Sequence, residues 1–216
     1  MFLIAARLWG ATFSPREASI GMVGKLAQTG VAAELVARAC RGDEHAEAEI
    51  YAALAPATFG LIRRLVGGGA QAEDLFQETM MSFYERLSTF RAEAPLGAWL
   101  RQIALSKCFM YLRSPWHRAR LQWDGAGDEW MRNAVDDPSL ATCAAECLDV
   151  ERALWNLAPT ARAVVWLFEV EGFSHEEIGR AFGRTASFSK SQLARAHQRL
   201  RAYLEPAVEP PACTSI

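Results

Sequence analysis

The sequence predicts an all-α protein made of two small helical domains joined by a flexible linker. Apolar residues return every three or four positions through most of the chain, the spacing of helices that bury one face. No stretch shows the apolar–polar alternation of a half-buried strand. Between residues 115 and 143 the stripe stops, where Gly125, Gly127 and Asp136-Asp137-Pro138 cannot sustain it.

The elements follow in order. Residues 1–29 carry no sustained period and are interrupted by Gly10, Pro15, Gly21 and Gly24. They are expected to be an irregular N-terminal extension, or an upstream start with Met22 as the true one. Leu35, Val36 and Ala39 mark a first helix that ends at Gly42. Ile50, Leu54, Phe59, Ile62 and Leu65 form the stripe of a second, stopped by Gly67-Gly68-Gly69. A third helix, residues 70–90, buries Leu75, Met80 (or Thr79), Phe83 and Leu87 and leaves Asp74, Gln77, Glu78 and Glu85 outside. Pro95 can occupy the first turn of a fourth, where its missing N–H costs little. That helix carries Trp99, Leu100, Ile103, Ala104 and Tyr111 and ends near Ser114. The first domain is therefore placed at 30–114 and the linker at 115–143, with a weak amphipathic turn at Trp130 and Met131. The second domain spans 144–205. It opens with Leu148, Ala153, Leu154 and Leu157, and continues through a helix begun by Pro159 and carrying Val164, Val165, Leu167 and Phe168. Residues 206–216 form a Pro-rich tail.

The most informative stretch is Gly172–Arg201. Ser174 with Glu177 three residues on is a capping-box pattern, followed by Ile178, Ala181 and Phe182 on one face. Gly183 supplies a turn, because glycine tolerates the left-handed conformation of helix C-termini. Thr185 or Ser187 can cap the next helix. There Leu193, Ala196 and Leu200 share an apolar face that Lys190, Arg195, Arg199 and Arg201 avoid. A short helix, a Gly turn and a basic helix make a helix-turn-helix, whose second helix fits a DNA major groove. An ordinary helical hairpin with a solvated basic face is the alternative.

Charge distribution supports local rather than global nucleic-acid contact. The net charge is -2 over 216 residues, so any DNA contact must come from patches. Residues 86–120 hold seven Lys and Arg against one acid, Glu93, and residues 183–204 hold five and no acid. The acidic linker residues Asp124, Asp128, Glu129, Asp136 and Asp137 are expected to screen these basic surfaces. Five cysteines (40, 108, 143, 147 and 213) form no CxxC pair, which fits a reduced, cytoplasmic protein. Cys143 and Cys147 lie one helical turn apart, but no nearby His or Cys completes a tetrahedral set, so no metal is expected. No other cofactor is implied. The apolar opening FLIAA is broken by Arg7 and is too short to span a bilayer, so no membrane insertion is expected. The four histidines are scattered with no nucleophile–base pair, and the chain is not expected to be an enzyme.

Several patterns occur in a known order. Asp74-Leu75-Phe76-Gln77-Glu78, then Phe90-Arg91 and Pro95, then Trp99-Leu100-Arg101-Gln102-Ile103-Ala104 resemble region 2 of bacterial RNA polymerase sigma factors. Leu157-Ala158-Pro159 through Glu171-Gly172-Phe173-Ser174-His175-Glu176-Glu177-Ile178 resembles region 4, and Lys190-Ser191-Gln192-Leu193-Ala194-Arg195-Ala196 continues it into the recognition helix. Two such regions with only a linker between them are similar to the extracytoplasmic-function (ECF) class of the sigma-70 family.

The resemblance implies an ECF-type factor that binds core RNA polymerase and directs promoter recognition, DNA melting and transcription initiation. It implies as partners promoter DNA, the clamp helices of the polymerase largest subunit, the flap, and an anti-sigma factor. Asp74, Leu75, Gln77 and Glu78 then meet the polymerase. Arg91, Arg101, Ser106, Lys107, Met110, Tyr111 and Arg113 serve the minus-ten element, where rings stack on bases and cations follow phosphates. Lys190, Ser191, Gln192, Ala194 and Arg195 face the minus-thirty-five element, while Arg184 and Arg199 touch phosphate. The chain departs from the family pattern at Ser106 and Met110, where Asn and Asp are usual. It also has Ser187-Phe188-Ser189 for Gly-Thr-Val, and Gln192 for Arg. A helix-turn-helix regulator outside the sigma family would have no need of the acidic 74–78 helix. A degenerate sigma-like protein acting as an interaction module is the other alternative.

Overall fold

The computed structural model describes residues 25–114, 150 and 152–204, and among these there is no strand. The linker segment, Trp130 and Met131, Cys143 and Cys147, Leu148, the acidic screening residues and the C-terminal tail lie outside the described residues. Among the described residues no helix is long and apolar enough to cross a membrane.

The first half comprises α1 (Lys25–Gln28), α2 (Ala33–Ala39), α3 (Glu44–Val66), α4 (Ala70–Leu87) and α5 (Leu96–Arg113). Asp43 starts α3 by accepting from the amides of His45 and Ala46, satisfying donors that lack an intrahelical partner. It also takes a 2.8 Å bond from Arg38 Nε, which ties α2 to α3 and holds the Asp43 carboxyl below its ordinary range. The helix passes through Pro56 and stops at Gly67, whose φ of 100° suits glycine. In α4 the expected face is the buried one: Leu75, Thr79, Met80, Phe83 and Leu87. Pro95 takes the N-cap position of α5, one place before the expected first turn. The hairpin of α4 and α5 packs on α3, with Ile50, Leu54, Phe83 and Leu100 inaccessible to solvent.

The stretch expected to be irregular ends later in sequence than the fold begins. The turn α1 docks on α5 and buries Leu26. Gly97 makes this approach feasible, since a Cβ there would lie 2.0 Å from the Leu26 carbonyl oxygen.

The second half starts with a helical turn at residues 152–155, then α6 (Pro159–Val165), which widens into a π-helical turn at Trp166–Val170. The pair α7 (His175–Ala181) and α8 (Ala186–Leu204) follows. Both halves of the capping box at Ser174 and Glu177 form. Gly183 turns the chain with a φ of 63°, and α8 begins immediately after Thr185. Gly179 lets α7 touch the start of α8, where a Cβ would meet the Thr185 carbonyl at 2.7 Å. Ile178, Leu193, Ala196 and Leu200 close the pair over Val164 and Leu167.

The two halves also pack together. Their buried residues form one contiguous apolar cluster, and α6 lies against α3.

Candidate nucleic-acid and partner interfaces

The second helix of the helix-turn-helix presents a polar face built by helical spacing. Lys190, Ser191, Ala194 and Arg195 are all exposed and lie one turn apart in pairs, while Leu193 and Ala196 point into the core. Gln192 is half-buried at the edge of that face; Arg184 and Arg199 are exposed on either side along the chain. Arg195 donates from Nε to the Ser191 carbonyl at 3.2 Å, which fixes the base of its side chain along the helix. The uninterrupted positive charge suits phosphates, and an α-helix of this kind fits a major groove.

Ser189, one of the departures from the family pattern, is wholly buried within α8. Its hydroxyl is paired with His175 Nδ1 at 3.0 Å, and the His175 ring stacks on Phe168 at 4.4 Å between centroids. Phe188 packs against Phe182 at 5.8 Å, so the aromatic side chain fills space between α7 and α8. The substitution of a hydroxyl for an apolar core group is therefore answered by a hydrogen bond from the neighbouring helix, as buried polar groups require. Burial, and then the nearby Lys190, push the His175 pKa down from its ordinary value.

On α4, Asp74, Gln77 and Glu78 are exposed on one side, an acidic and amide face open to a cationic partner. Leu75 points the other way and is only 8% exposed, so it belongs to the core rather than to that face. Glu78 reaches across to Lys107 on α5 at 3.5 Å.

The minus-ten candidates separate into two groups. Arg91, Ser106, Met110 and Arg113 are exposed, and Lys107 and Tyr111 are half-buried. Arg113 turns back to the Phe109 carbonyl of its own helix at 3.2 Å. Arg101, by contrast, is 9% exposed and lies between the two halves of the chain. It donates to the Glu171 carboxylate, sits 5.7 Å from the Phe173 ring centroid, and does not share the open surface.

A pocket opens beside that surface in the turn between α4 and α5. It has a volume of about 370 Å³ and is lined by Phe90, Arg91, Glu93, Trp99 and Gln102, among others. The Trp99 ring packs on Phe83 and Phe90 and also lines the pocket. No sequence period marks a pocket of this kind, because its walls come from an irregular turn and the first turn of a helix.

The comparisons with known proteins agree with the order of these elements. The Sigma-70 region 2 family matches residues 50–118, and the Sigma-70, region 4 family matches residues 147–200. The RNA polymerase sigma factor CarQ of Myxococcus xanthus is 30% identical over 165 residues, covering 76% of this chain and 91% of its own length. The ECF RNA polymerase sigma factor SigE of Mycolicibacterium smegmatis is 30% identical over 149 residues. This chain is an ECF member of the sigma-70 family.

The RNA polymerase sigma-E factor of Streptomyces avermitilis is 34% identical over 143 residues, covering 66% of this chain and 76% of that protein. The alignment spans 56% of the SigE protein's length. Among solved structures, the sigma factor RpoE of Bartonella quintana, in complex with the anti-sigma factor NepR, matches with a TM-score of 0.42 at 23% identity. That match covers 72% of this chain and 94% of the other. Sigma factors of this class direct promoter recognition and transcription initiation, and this ECF chain carries both regions that the family uses.

Proposed function

We propose that this ECF chain binds core RNA polymerase through the α4 face and reads a promoter at two points, with α8 upstream and the α4–α5 turn with α5 downstream. The observation that carries this reading is the division of exposed chemistry. Asp74, Gln77 and Glu78 share one acidic face on α4, whereas Lys190, Ser191, Ala194 and Arg195 share one basic face on α8. Clamp helices rich in basic side chains are the fitting partner for the first face, and duplex DNA for the second. The flap would meet the second region from its DNA-distal side. The domains taking part are residues 30–114 and 144–205.

Downstream, the pocket beside Phe90, Arg91 and Trp99 has the size and lining to hold one unstacked base. An aromatic wall supplies stacking, and Gln102 supplies hydrogen-bonding groups for a base edge. Lys107 and Arg113 lie farther along α5, where they can follow the backbone of the opened strand. The pair Glu78–Lys107 places a polymerase-facing carboxylate against a DNA-facing ammonium. An anti-sigma factor is a further proposed partner, in keeping with the class.

Transcription from fragmented genomic DNA of the source organism by core polymerase with and without this chain tests the reading. Start sites that depend on the chain and share two upstream motifs are expected. A set of transcripts identical with and without the chain would overturn it.

A further inference from the structure

We propose that His175 and His197 are positioning residues for promoter reading, two imidazoles that pin α8 to the π-helical turn at both ends of its DNA-facing segment and so set its base selectivity. The inference rests on the reading of α8 as the upstream DNA helix, and names what that helix needs in order to discriminate between sequences.

The first pin lies where the segment starts. His175 stands at the beginning of α7, and its Nδ1 is 3.0 Å from the Ser189 hydroxyl inside α8. Its ring lies nearly parallel to that of Phe168, with 15° between the planes and 4.4 Å between centroids. One imidazole thus touches the π-helical turn with its face and α8 with its edge. The capping box of Ser174 and Glu177 fixes the backbone that carries it.

The second pin lies where the segment ends. His197 Nε2 is 3.3 Å from Glu169 Oε1, and the Glu169 side chain is 3% exposed. Phe168 and Glu169 are neighbours in the turn Trp166–Val170, which Leu167 and Val170 seat in the core. Both pins therefore draw on one short, anchored step of the chain. π-Helical turns inside helices occur frequently at functional sites.

The pins bracket the residues that face DNA. Lys190, Ser191, Ala194 and Arg195 are exposed between them. Ser189 is wholly buried, whereas its neighbours over residues 186–188 and 190–192 are exposed or half-buried. Leu193 seats the middle of the segment in the core. An apolar contact of that kind has no preferred direction, while a polar contact has one.

This arrangement governs selectivity more than affinity. The pins stand about 12 Å apart along the helix, so a swing of about 10° on the loss of one moves side chains by about 2 Å. Long Lys and Arg side chains follow phosphates through such a shift. Hydrogen bonds to base edges, with donor–acceptor distances of about 2.7–3.2 Å, do not survive it.

The test compares full-length variants reconstituted with core polymerase. Binding is measured, over a salt series, to a duplex carrying the upstream motif found by start-site mapping and to the same duplex with that motif scrambled. Wild type is expected to prefer the motif. His175→Ala, Ser189→Ala and His197→Ala should each lower that preference about tenfold, the scale of a lost base contact. Affinity for the scrambled duplex and its salt dependence should stay as in wild type. His175→Asn keeps an amide near the Nδ1 position and His197→Gln keeps one near Nε2, and both should retain most of the preference. Where an alanine variant of either histidine melts early, Ser189→Ala and Glu169→Gln, which change only the partner atoms, decide the matter. Unchanged preference in the alanine variants, equal losses on both duplexes, or conservative variants no better than alanine would each overturn the positioning role. A wild-type holoenzyme that binds both duplexes alike would instead remove the upstream reading of α8 itself.

Discussion

Ser189 shows how a single departure from a family pattern can be absorbed by one neighbour. A hydroxyl buried in a helix interface needs a partner, and His175 Nδ1 provides it from the first turn of α7. This makes the second region sensitive to the protonation of His175. Burial and Lys190 lower its folded pKa below the ordinary 6.5, so protons bind more tightly to the unfolded chain. Its contribution is complete above about pH 6.5 and is lost as pH falls through that value toward the folded pKa. Thermal melts from pH 8 to 5 should therefore show wild type losing more stability on the acid side than His175→Gln. Equal acid losses in the two proteins would contradict the assignment. Neither the pairing nor the stacking on Phe168 was legible in the sequence, because fourteen residues and a turn separate His175 from Ser189. The capping box was legible, since its two members are three residues apart and define each other's roles.

At the scale of elements, the helical stripes found their buried faces because burial on one side leaves a period in the sequence. The stripe of α4 is the clearest case, with Phe83 and Thr79 fully buried and Asp74, Gln77 and Glu78 exposed. It also separates two roles that the motif runs together. Reversal of charge at Asp74 and Glu78 should weaken co-purification with core polymerase while changing stability by no more than about 0.5 kcal/mol. Leu75→Ala should instead destabilise the fold by roughly 2–5 kcal/mol, as loss of a buried leucine does. Chemical denaturation with a pull-down on core polymerase distinguishes them. A double reversal that co-purifies at wild-type level would sink the polymerase assignment for this face. Less of α1 was legible: a four-residue helix has no period to read, and its docking depends on the missing side chain of Gly97. The π-helical turn was hidden for a similar reason, as its five residues continue the apolar run of α6.

For the whole molecule, the order of two helical regions was readable, but their packing was not. The linker breaks periodicity, and the residues that join the halves come from three stretches far apart in sequence: Arg64 on α3, Arg101 on α5, and Arg162, Trp166 and Glu171 on the run from α6 through the π-helical turn. Arg101 illustrates the consequence. Sequence placed it with the DNA-facing residues, and the fold places it against Glu171 in a buried contact. Its availability to DNA thus depends on the state of the entire chain, not on its helix alone.

The two-point promoter reading is tested most directly by footprinting one promoter with reconstituted holoenzyme and three forms of the chain. Wild type should protect the upstream element and render downstream thymines reactive to permanganate. Arg195→Ala should lose upstream occupancy, with a binding deficit on the order of 1–3 kcal/mol if it contacts a base. A Lys107→Ala/Arg113→Ala chain should keep upstream protection and core binding, yet show reduced permanganate reactivity downstream. Normal melting by that double variant, together with full upstream protection by Arg195→Ala, would contradict the division of labour between α5 and α8.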